Sequence, residues 1–473
     1  MTPVILDSAT LDRGRQPQRP MQRPIEWRAV VHDRHGLVAA GFLAACLLLG
    51  GATASGAVAN GMLQMLAIAI LLWLALTARR SPADRSERQL LMMAFAALAV
   101  PLIQLIPMPP ALWTAMPARG FVADGYALLG EPLPWLPLSL VPERTIIALL
   151  SLMPPLAMLL LVLRTAPDGR VALAMLVVAF ALASLLLGVA QLGGGRQSAL
   201  YFYTPTTIGA PVAFFANVNH HATLVLCALP LLGLLFARFT MAERARAIAG
   251  PAILFGAIAM LLVISLVLTR SMAAALLAAP ALVGSALVAI PAWAPRQSGA
   301  WRRAALLAVG VVSIAAIVAV GFTLAGGIAS TLGDPTEPVA RPDILRATLG
   351  VALHNLPWGG GLGSFDQLYP AGLPIQAITR TFVNHAHNDY AELLAEAGVL
   401  GWLVLAPFGL WWAWNGIGAM RTVSLAEAPR RAGVVIIGLV LVHSLVDYPA
   451  RTAAIMAITA LGFGLLAGRP RER

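Results

Sequence analysis

The chain has 473 residues, of which 59% are hydrophobic and only 11% are charged, and its mean hydropathy is +0.81. Because a soluble domain is about 45–50% apolar, this composition excludes an ordinary soluble protein and indicates a polytopic membrane protein. The formal charge of +11 comes from arginines between the apolar runs, so it is a topological signal, and we expect no nucleic-acid partner.

The first 35 residues are rich in Arg, Pro and Gln and lack an apolar core, which predicts a disordered cytoplasmic tail. Apolar runs of about 20 residues then recur, the length that crosses a hydrocarbon core of about 30 Å. They predict about twelve helices, because a spanning segment must satisfy its own backbone hydrogen bonds. The predicted spans are 36–55, 59–78, 89–106, 144–163, 171–192, 218–237, 249–268, 271–292, 304–326, 388–413, 432–449 and 452–468. The sequence therefore predicts one all-α transmembrane domain over 36–468 and a short cytoplasmic tail over 469–473.

The arginines between the predicted spans indicate an orientation. The chain has 32 basic residues, all of them arginines, and 24 of these fall on one side of the alternating spans. The opposite side carries only Arg119, Arg144, Arg196, Arg270, Arg341, Arg346, Arg380 and Arg451. The positive-inside rule therefore predicts that both termini are cytoplasmic. The long loops at 107–143, 193–217 and 327–387 then lie outside, and loops of such length are often functional.

Two outer arginines lie close to the membrane surface. Arg270 stands between two spans with almost no loop, and two interpretations stay open for it. It is either a snorkelling anchor or a functional group, since ionisable residues near the membrane are functional candidates. Arg341 begins a segment with Ile344, Leu345, Thr348 and Leu349 on one face, which predicts an amphipathic helix along the interface.

The segment from Asn384 to Tyr390, NHAHNDY, directly precedes an apolar helix and is the richest in chemistry. A histidine with a pKa near neutral can accept a proton from a hydroxyl, and arginines can hold a phosphate group. A site with both at a membrane surface suits a lipid-linked phosphorylated substrate. Glu396 lies about 13 Å into the helix that follows, so we expect it to form a buried ion pair with an arginine.

No metal site is predicted. On a helix, His385 and His387 would be separated by about 200°, and the chain contains no Asp-x-Asp. Cys46 and Cys227 both lie in predicted spans, where they behave as small apolar residues.

The block from His385 to Gly401, HAHNDYAELLAEAGVLG, resembles the signature of the O-antigen ligase and polymerase superfamily. In that signature a His-Asn-x-Tyr opens a helix that continues to Glu-x-Gly-x-x-Gly. Further stretches also resemble superfamily motifs: FANVNH (215–220), LTRS (268–271), the run 341–365 ending in NLPWGGGLGSF, and HSLVDYP (443–449). FANVNH resembles the superfamily's Phe-x-Asn-Pro-Asn motif, and Val218 stands where that motif usually has proline. The resemblance covers roughly residues 140 to 460.

The resemblance implies a glycosyltransferase of the GT-C type in the bacterial inner membrane, with a periplasmic active site and no cofactor. Such an enzyme moves a glycan from undecaprenyl diphosphate to an acceptor hydroxyl, without a metal and with inversion at the anomeric carbon. His387 would be the general base, and Arg270 and Arg341 would clamp the donor diphosphate. The expected substrate-binding residues are Arg196, Asn217, Asn219, Asn388, Tyr390 and Arg451.

Several alternatives stay open at this stage. His387 could contact phosphate instead, and His220, His221 and His385 are other candidates for the base. The acceptor could be the lipid A core, a growing polysaccharide or a protein. A lipid or glycan transporter is a different class, which we disfavour because transporters place polar groups near the midplane.

Overall fold

The computed structural model describes residues 27–77, 84–242, 249–289, 341–378, 382–422 and 424–468. This part of the chain is almost entirely α-helical, as the composition predicts. Its helices are α1 (Trp27–His32), α2 (Arg34–Leu49), α3 (Ala57–Leu76), α4 (Arg85–Gln104), α5 (Pro110–Trp113), α6 (Gly120–Leu129), α7 (Pro142–Ser151), α8 (Met153–Arg164), α9 (Pro167–Gly193), α10 (Val218–Ala242), α11 (Ala249–Thr269), α12 (Met272–Ala289), α13 (Arg341–Asn355), α14 (Phe365–Ala371), α15 (Asp389–Arg421), α16 (Ala428–His443) and α17 (Ala453–Ala467).

Within these ranges, eight segments are long and apolar enough to cross a membrane. They are Ala57–Leu76, Arg85–Gln104, Pro142–Arg164, Pro167–Gly193, Val218–Thr240, Gly250–Thr269, Met272–Ala289 and Asp389–Arg421. Each coincides with a predicted span, so the chain is a multi-pass membrane protein.

The count of twelve spans stays a prediction. The span 304–326 lies outside the described residues, as do Arg380 and the tail 469–473. The spans 36–55, 432–449 and 452–468 correspond to helices of only 16, 16 and 15 residues.

Several boundaries differ from the prediction, since α2 ends at Leu49 rather than at 55 and α15 continues to Arg421 rather than ending at 413. Two further differences have a visible cause. Residues 27–32 of the predicted tail are helical, and the Asp33 carboxylate that follows accepts a hydrogen bond from the Ala166 N–H over 2.8 Å. The span 432–449 is wrong at its end, because α16 stops at His443 and a turn follows. There the Asp447 carboxylate accepts from the backbone N–H of Tyr448, and Pro449 has no N–H to continue a helix.

The most enclosed spanning helix is α10, which packs against α9, α11, α12 and α16. Small residues allow α10 and α12 to approach each other closely. A Cβ at Gly233 would lie 2.4 Å from the Ser285 carbonyl oxygen of α12, and the Ser285 hydroxyl donates to the Leu229 carbonyl over 2.7 Å. Glycine and serine at helix crossings are characteristic of membrane bundles. The middle of α10 is thereby packed closely against α12.

The loop 107–143 contains the strands of the described part of the chain, which is otherwise helical. Its strands β1 (Pro107–Met108) and β2 (Leu136–Pro137) form a short antiparallel pair. The prolines explain the strands, since they cannot donate within a helix. The Trp113 indole, buried beneath the loop, donates to the Pro134 carbonyl over 2.9 Å.

Helix α15 is broken at Gly398, whose φ and ψ are 55° and −143°. The carbonyls left open by the break accept hydrogen bonds from the loop after α13. Gly360 N–H donates to Ala395 over 3.0 Å, and Gly361 N–H donates to Glu396 over 2.8 Å. The glycine-rich loop and the break therefore form one unit, which fixes the first turns of α15, directly after His385 and His387.

Candidate active site

His387 lies just before α15 and is held there by its neighbour Asn388. The Asn388 side-chain oxygen caps the helix by accepting from the N–H groups of Tyr390 and Ala391 over 3.1 and 2.9 Å. Its amide nitrogen donates to the Leu445 carbonyl over 2.8 Å. His387 itself has a φ of 53°, an uncommon conformation for a residue other than glycine. Such conformations cost about 1–3 kcal/mol and cluster at functional sites.

Three imidazole rings surround the buried ring of Tyr448, in the turn after α16. The ring centroids of His220, His385 and His387 lie 4.9, 4.4 and 5.1 Å from that of Tyr448. Burial raises the pKa of Tyr448 to about 12, so its hydroxyl stays protonated at neutral pH. Its oxygen accepts a hydrogen bond from the Asn217 amide over 3.3 Å. Tyr448 is thus the common wall of the site.

Asp447 is fully buried beside this wall. Its carboxylate accepts hydrogen bonds from the Tyr448 N–H over 2.8 Å and from the Asn219 side-chain amide. Burial acts to raise the pKa of Asp447, but the nearby histidines, chiefly His220 and His443, outweigh it and hold the pKa below its usual value. The site therefore contains a fixed negative charge.

Arg341, the first residue of α13, lies at the edge of this cluster. It is exposed, and its Nη1 donates to the Val446 carbonyl over 3.3 Å, next to Asp447. Burial, as the largest cause, and the Arg341 charge lower the pKa of His387 below its usual value, against the opposing effect of Asp447. His387 is consequently a neutral imidazole at pH 7, which is the form that accepts a proton.

Arg270 forms the junction between α11 and α12 and has a φ of 52°. It is exposed, whereas Thr269 and Ser271 on either side are buried. Since α11 packs against α10 and runs opposite to it, Arg270 lies at the same end of the bundle as the start of α10. No side-chain contact of Arg270 to the histidines is present in the described residues, so a shared role stays a prediction.

The remaining predicted substrate-binding residues have diverse positions. Arg196 is exposed in the turn after α9. Asn217 and Asn219 lie in the cluster but are engaged with Tyr448 and Asp447, as described above. The Tyr390 hydroxyl donates to the Leu441 carbonyl over 2.7 Å and so ties α15 to α16.

Arg451 is surrounded by carboxylates from α15. Its Nη1 lies 2.8 Å from Glu396, its Nε 3.3 Å from Asp389 and its Nη2 3.4 Å from Glu392. The predicted ion pair of Glu396 is confirmed. Burial acts to lower the pKa of Arg451, but these three carboxylates raise it. Each nitrogen already faces a carboxylate oxygen, so the geometry favours a structural role over the predicted substrate contact.

His385 joins this acidic group to the site. Its Nδ1 donates to Glu392 Oε1 over 2.8 Å, and the other carboxylate oxygen accepts from the Ala386 N–H over 2.8 Å. The ring is therefore held by a carboxylate, unlike that of His387, whose Nδ1 is buried and unpaired. His385 is thus oriented by Glu392, whereas the His387 ring has no carboxylate on its Nδ1.

The sequence reasoning gave no site role to Asp447, Tyr448 or His443. The signal was present, because HSLVDYP places a carboxylate and an imidazole within an apolar stretch, and such groups are functional candidates by default. Although these residues converge with other histidines, no three His, Cys, Asp or Glu side chains in the described ranges are placed to share a metal ion.

Residues 255–406 match a family model described as O-antigen ligase, and this stretch contains Arg270, Arg341 and His387. No curated protein matches the chain.

Proposed function

We propose that the chain, whose residues 255–406 match a family model described as O-antigen ligase, is a membrane glycosyltransferase. It moves a glycan from an undecaprenyl-diphosphate-linked donor to an acceptor hydroxyl. The geometry that supports this proposal is the position of the His387 imidazole against Tyr448, close to the Asp447 carboxylate and to Arg341, which donates to the Val446 carbonyl. This combination of a base and a cation suits an attack by a hydroxyl on a sugar that is linked to phosphate.

His387 acts as the general base. It accepts the proton of the acceptor hydroxyl, whose oxygen then attacks the anomeric carbon. Asp447 supports this step because a fixed carboxylate stabilises the imidazolium that forms. A positioned base of this kind contributes about 10²–10⁴-fold to a rate.

The diphosphate binds to arginines. Arg341 is exposed and has donors to spare, and Arg270 is exposed at the same end of the bundle. Charge grows on the diphosphate as its bond to the sugar breaks, and cations placed there stabilise that charge. Displacement from the opposite face inverts the anomeric carbon and leaves no step that requires a metal. The site then lies on the periplasmic side of the inner membrane, with both termini cytoplasmic and a GT-C-type arrangement of about twelve helices.

The acceptor we favour is the lipid A core, as for an O-antigen ligase. A polymerase would instead use the next lipid-linked repeat unit, and a protein glycosyltransferase would use a serine or threonine hydroxyl. The donor-side residues suit all three. A transporter is a poorer fit, since the polar cluster gathers at one end of the bundle.

The first experiment tests His387. In purified protein given a lipid-diphosphate-linked glycan, His387→Ala and His387→Asn are expected to abolish transfer while the protein remains inserted and abundant. Asparagine tolerates a positive φ, so this variant separates loss of the base from backbone strain. His354→Ala, at an exposed position late in α13, serves as the control. Full activity of both His387 variants would overturn the base assignment.

The second experiment tests the arginines. Arg270→Lys and Arg341→Lys are expected to weaken use of the donor, because lysine lacks the planar fork that binds phosphate through two hydrogen bonds. Arg346→Lys, one turn further along α13 and exposed, is the matched control. Unchanged donor kinetics in both variants would remove the clamp. Offering core oligosaccharide, lipid-linked repeat units and protein side by side identifies the acceptor by the product that grows.

A further inference from the structure

The loop between α4 and α7, residues 107–143, carries large apolar side chains that nothing in the described residues covers. Helix α6 has no buried residue, and its Leu128, at 89%, is the most exposed large apolar side chain in the described part of the chain. Together with the segment that follows it, α6 presents an apolar patch of exposed large residues: Phe121, Leu128, Leu129, Leu133 and Trp135. A patch of this kind usually marks a contact with a protein or a membrane.

The exposed apolar residues of α6 lie on one side of the helix. At about 100° per residue, Phe121, Leu128 and Leu129 fall within an arc of about 100°. Asp124 is exposed and borders this arc, whereas Tyr126, on the far side, is partly buried. An apolar stripe with a polar residue at its edge is the surface that a helix in the membrane interface presents to lipid.

The loop that carries the apolar patch is bonded to the region of the candidate active site. The Leu140 N–H donates to the Gly360 carbonyl over 2.8 Å, in the same glycine-rich loop that bonds to the break in α15. A Cβ at Gly361 would collide with the Ser139 hydroxyl. These contacts, with the strand pair and the Trp113 indole bond described above, fix the loop on the bundle. The exposure of the patch is therefore a feature of the fold.

The exposed apolar surface continues along the chain into both spanning segments that flank the loop. On one side Ile103 and Ile106, at the end of α4 and just after it, are exposed. On the other side Ile146 and Ile147 of α7 are exposed. Because α4 and α7 belong to segments long and apolar enough to cross a membrane, their exposed apolar faces contact lipid. The loop thus begins and ends at lipid-contacting helices, which favours lipid over a second protein as the cover of the patch.

The backbone of the loop also suits a place among lipid. Non-helical backbone at membrane depth needs hydrogen-bond partners within the protein, and proline has no N–H that needs one. Eight of the residues 107–143 are prolines. Three of them, Pro132, Pro134 and Pro137, alternate with the patch residues Leu133 and Trp135. The segment next to α6 therefore has fewer backbone donors to satisfy in a lipid environment.

The charges of the loop favour contact with acyl chains over contact with anionic headgroups. Its single basic residue, Arg119, is buried, and the guanidinium donates to the Leu138 carbonyl. The exposed charged residues of the loop, Asp124, Glu131 and Glu143, are all acidic. Anionic headgroups attract basic segments, and this loop offers them no exposed cation. The contact that remains is that of apolar side chains with acyl chains.

We propose that the loop 107–143 is a membrane-inserted wedge, whose apolar patch lies among the acyl chains of the leaflet at the end of the bundle that carries His387. The loop starts at this end because the Gln104 side-chain amide, where α4 ends, donates to the Glu396 carbonyl over 2.9 Å, near the break in α15. Interfacial helices bury their apolar face about 5–10 Å into the boundary between headgroups and acyl chains. The wedge thereby anchors the end of the bundle next to the candidate active site in lipid.

The test places a fluorescent reporter on the apolar patch. Cys46 and Cys227 are fully buried, so a thiol-reactive NBD fluorophore labels a cysteine added at the surface. Leu128→Cys carries the fluorophore on the patch. Met65→Cys carries it on the exposed apolar side of α3, as the lipid reference, and Arg346→Cys carries it on the exposed charged side of α13, as the water reference. The full-length protein is held in phosphatidylcholine nanodiscs, where both membrane faces are open to water.

The fluorophore at Leu128→Cys is expected to behave like the one at Met65→Cys. Its emission lies at shorter wavelength than that at Arg346→Cys, nitroxides on the lipid acyl chains quench it, and aqueous iodide does not. Added phosphatidylglycerol is expected to leave the quenching unchanged, since the loop has no exposed cation. Phe121→Cys carries the same expectation should Leu128→Cys fail to accumulate.

Quenching by iodide without an effect of the nitroxides would place the apolar patch in water and overturn the wedge. A fluorophore at Leu128→Cys that neither quencher reaches would show that protein covers the patch, such as a second copy of this chain, and would also overturn it. Acyl-chain quenching that appears only with the anionic lipid would refute insertion by apolar contact. These readouts do not involve glycan transfer, so the wedge stands or falls separately from the proposed function.

Discussion

The side-chain amide of Asn217 donates a hydrogen bond to the Tyr448 hydroxyl over 3.3 Å, although 231 positions separate the two residues in the chain. Both residues are buried. The contact joins the loop that leads into α10 to the turn after α16. It therefore brings together the motifs FANVNH (215–220) and HSLVDYP (443–449), which form the wall behind His387.

This contact leads to a prediction for Tyr448. Tyr448→Phe keeps the ring against the histidines and loses one hydrogen bond, so we expect a loss of about 1 kcal/mol in unfolding free energy and nearly normal transfer. Tyr448→Leu removes the ring itself and is expected to lower transfer far more. Thermal unfolding and initial rates measure the two effects, with Tyr126→Phe as the control. Equal transfer rates in the two Tyr448 variants would show that the ring does not position His387.

The break in α15 leads to a second prediction. A Cβ at Gly398 would lie 2.1 Å from the Pro357 carbonyl oxygen, and the glycine has a φ of 55°. The left-handed conformation alone costs a residue with a Cβ about 1–2 kcal/mol. Because the added Cβ would also clash, Gly398→Ala is expected to destabilise the protein by more than that. Gly409→Ala, in the same helix with no atom within 4 Å, should be neutral or stabilising. Thermal unfolding in detergent compares them, and similar midpoints would contradict the account of the break.

The carboxylates around Arg451 lead to a third prediction. Breaking a buried ion pair costs about 3–5 kcal/mol because the remaining charge is left unpaired. Arg451→Gln leaves three carboxylates without their cation, whereas Glu396→Gln leaves two with it, so the first change should destabilise more. The exposed pair of Arg346 and Asp343 is the control, since its loss costs about 0–1 kcal/mol. Protein yield and thermal unfolding provide the measurement, and the reverse order would argue against a structural role for Arg451.

The electrostatics of His387 lead to a fourth prediction. Burial holds its pKa below its usual value, and the base works only when neutral. Activity should therefore be constant as pH falls from 8 to about 6.5 and decline only below that, as the imidazole becomes protonated. Arg341→Gln removes a positive charge that lowers this pKa, so the acidic limb of kcat/KM should move to higher pH. Arg346→Gln should leave the limb in place, and an unmoved limb in Arg341→Gln would show that the Arg341 charge does not act on His387.

Much of the helical framework was predictable because apolar runs of spanning length have few other structures available to them. The eight spanning segments in the described residues all coincide with predicted ones. The amphipathic run from Arg341 forms α13, and Glu396 forms the predicted ion pair with an arginine, which is Arg451. The end of α16 was mispredicted, because apolar content extends to Val446 while the turn depends on the hydrogen bonds of Asp447.

The sequence by itself determined the membrane class, the positions of the eight spanning segments in the described residues and the motif that contains His387, since these follow from composition and from local spacing. Only the tertiary structure decided which imidazoles share Asp447, that His385 is held by Glu392, and that Tyr448 forms the common wall. Hydrophobic periodicity specifies which residues are buried, but it carries no information about which buried polar groups meet. That depends on how α10, α15 and α16 pack at one end of the bundle, where residues more than 200 positions apart come into hydrogen-bond distance.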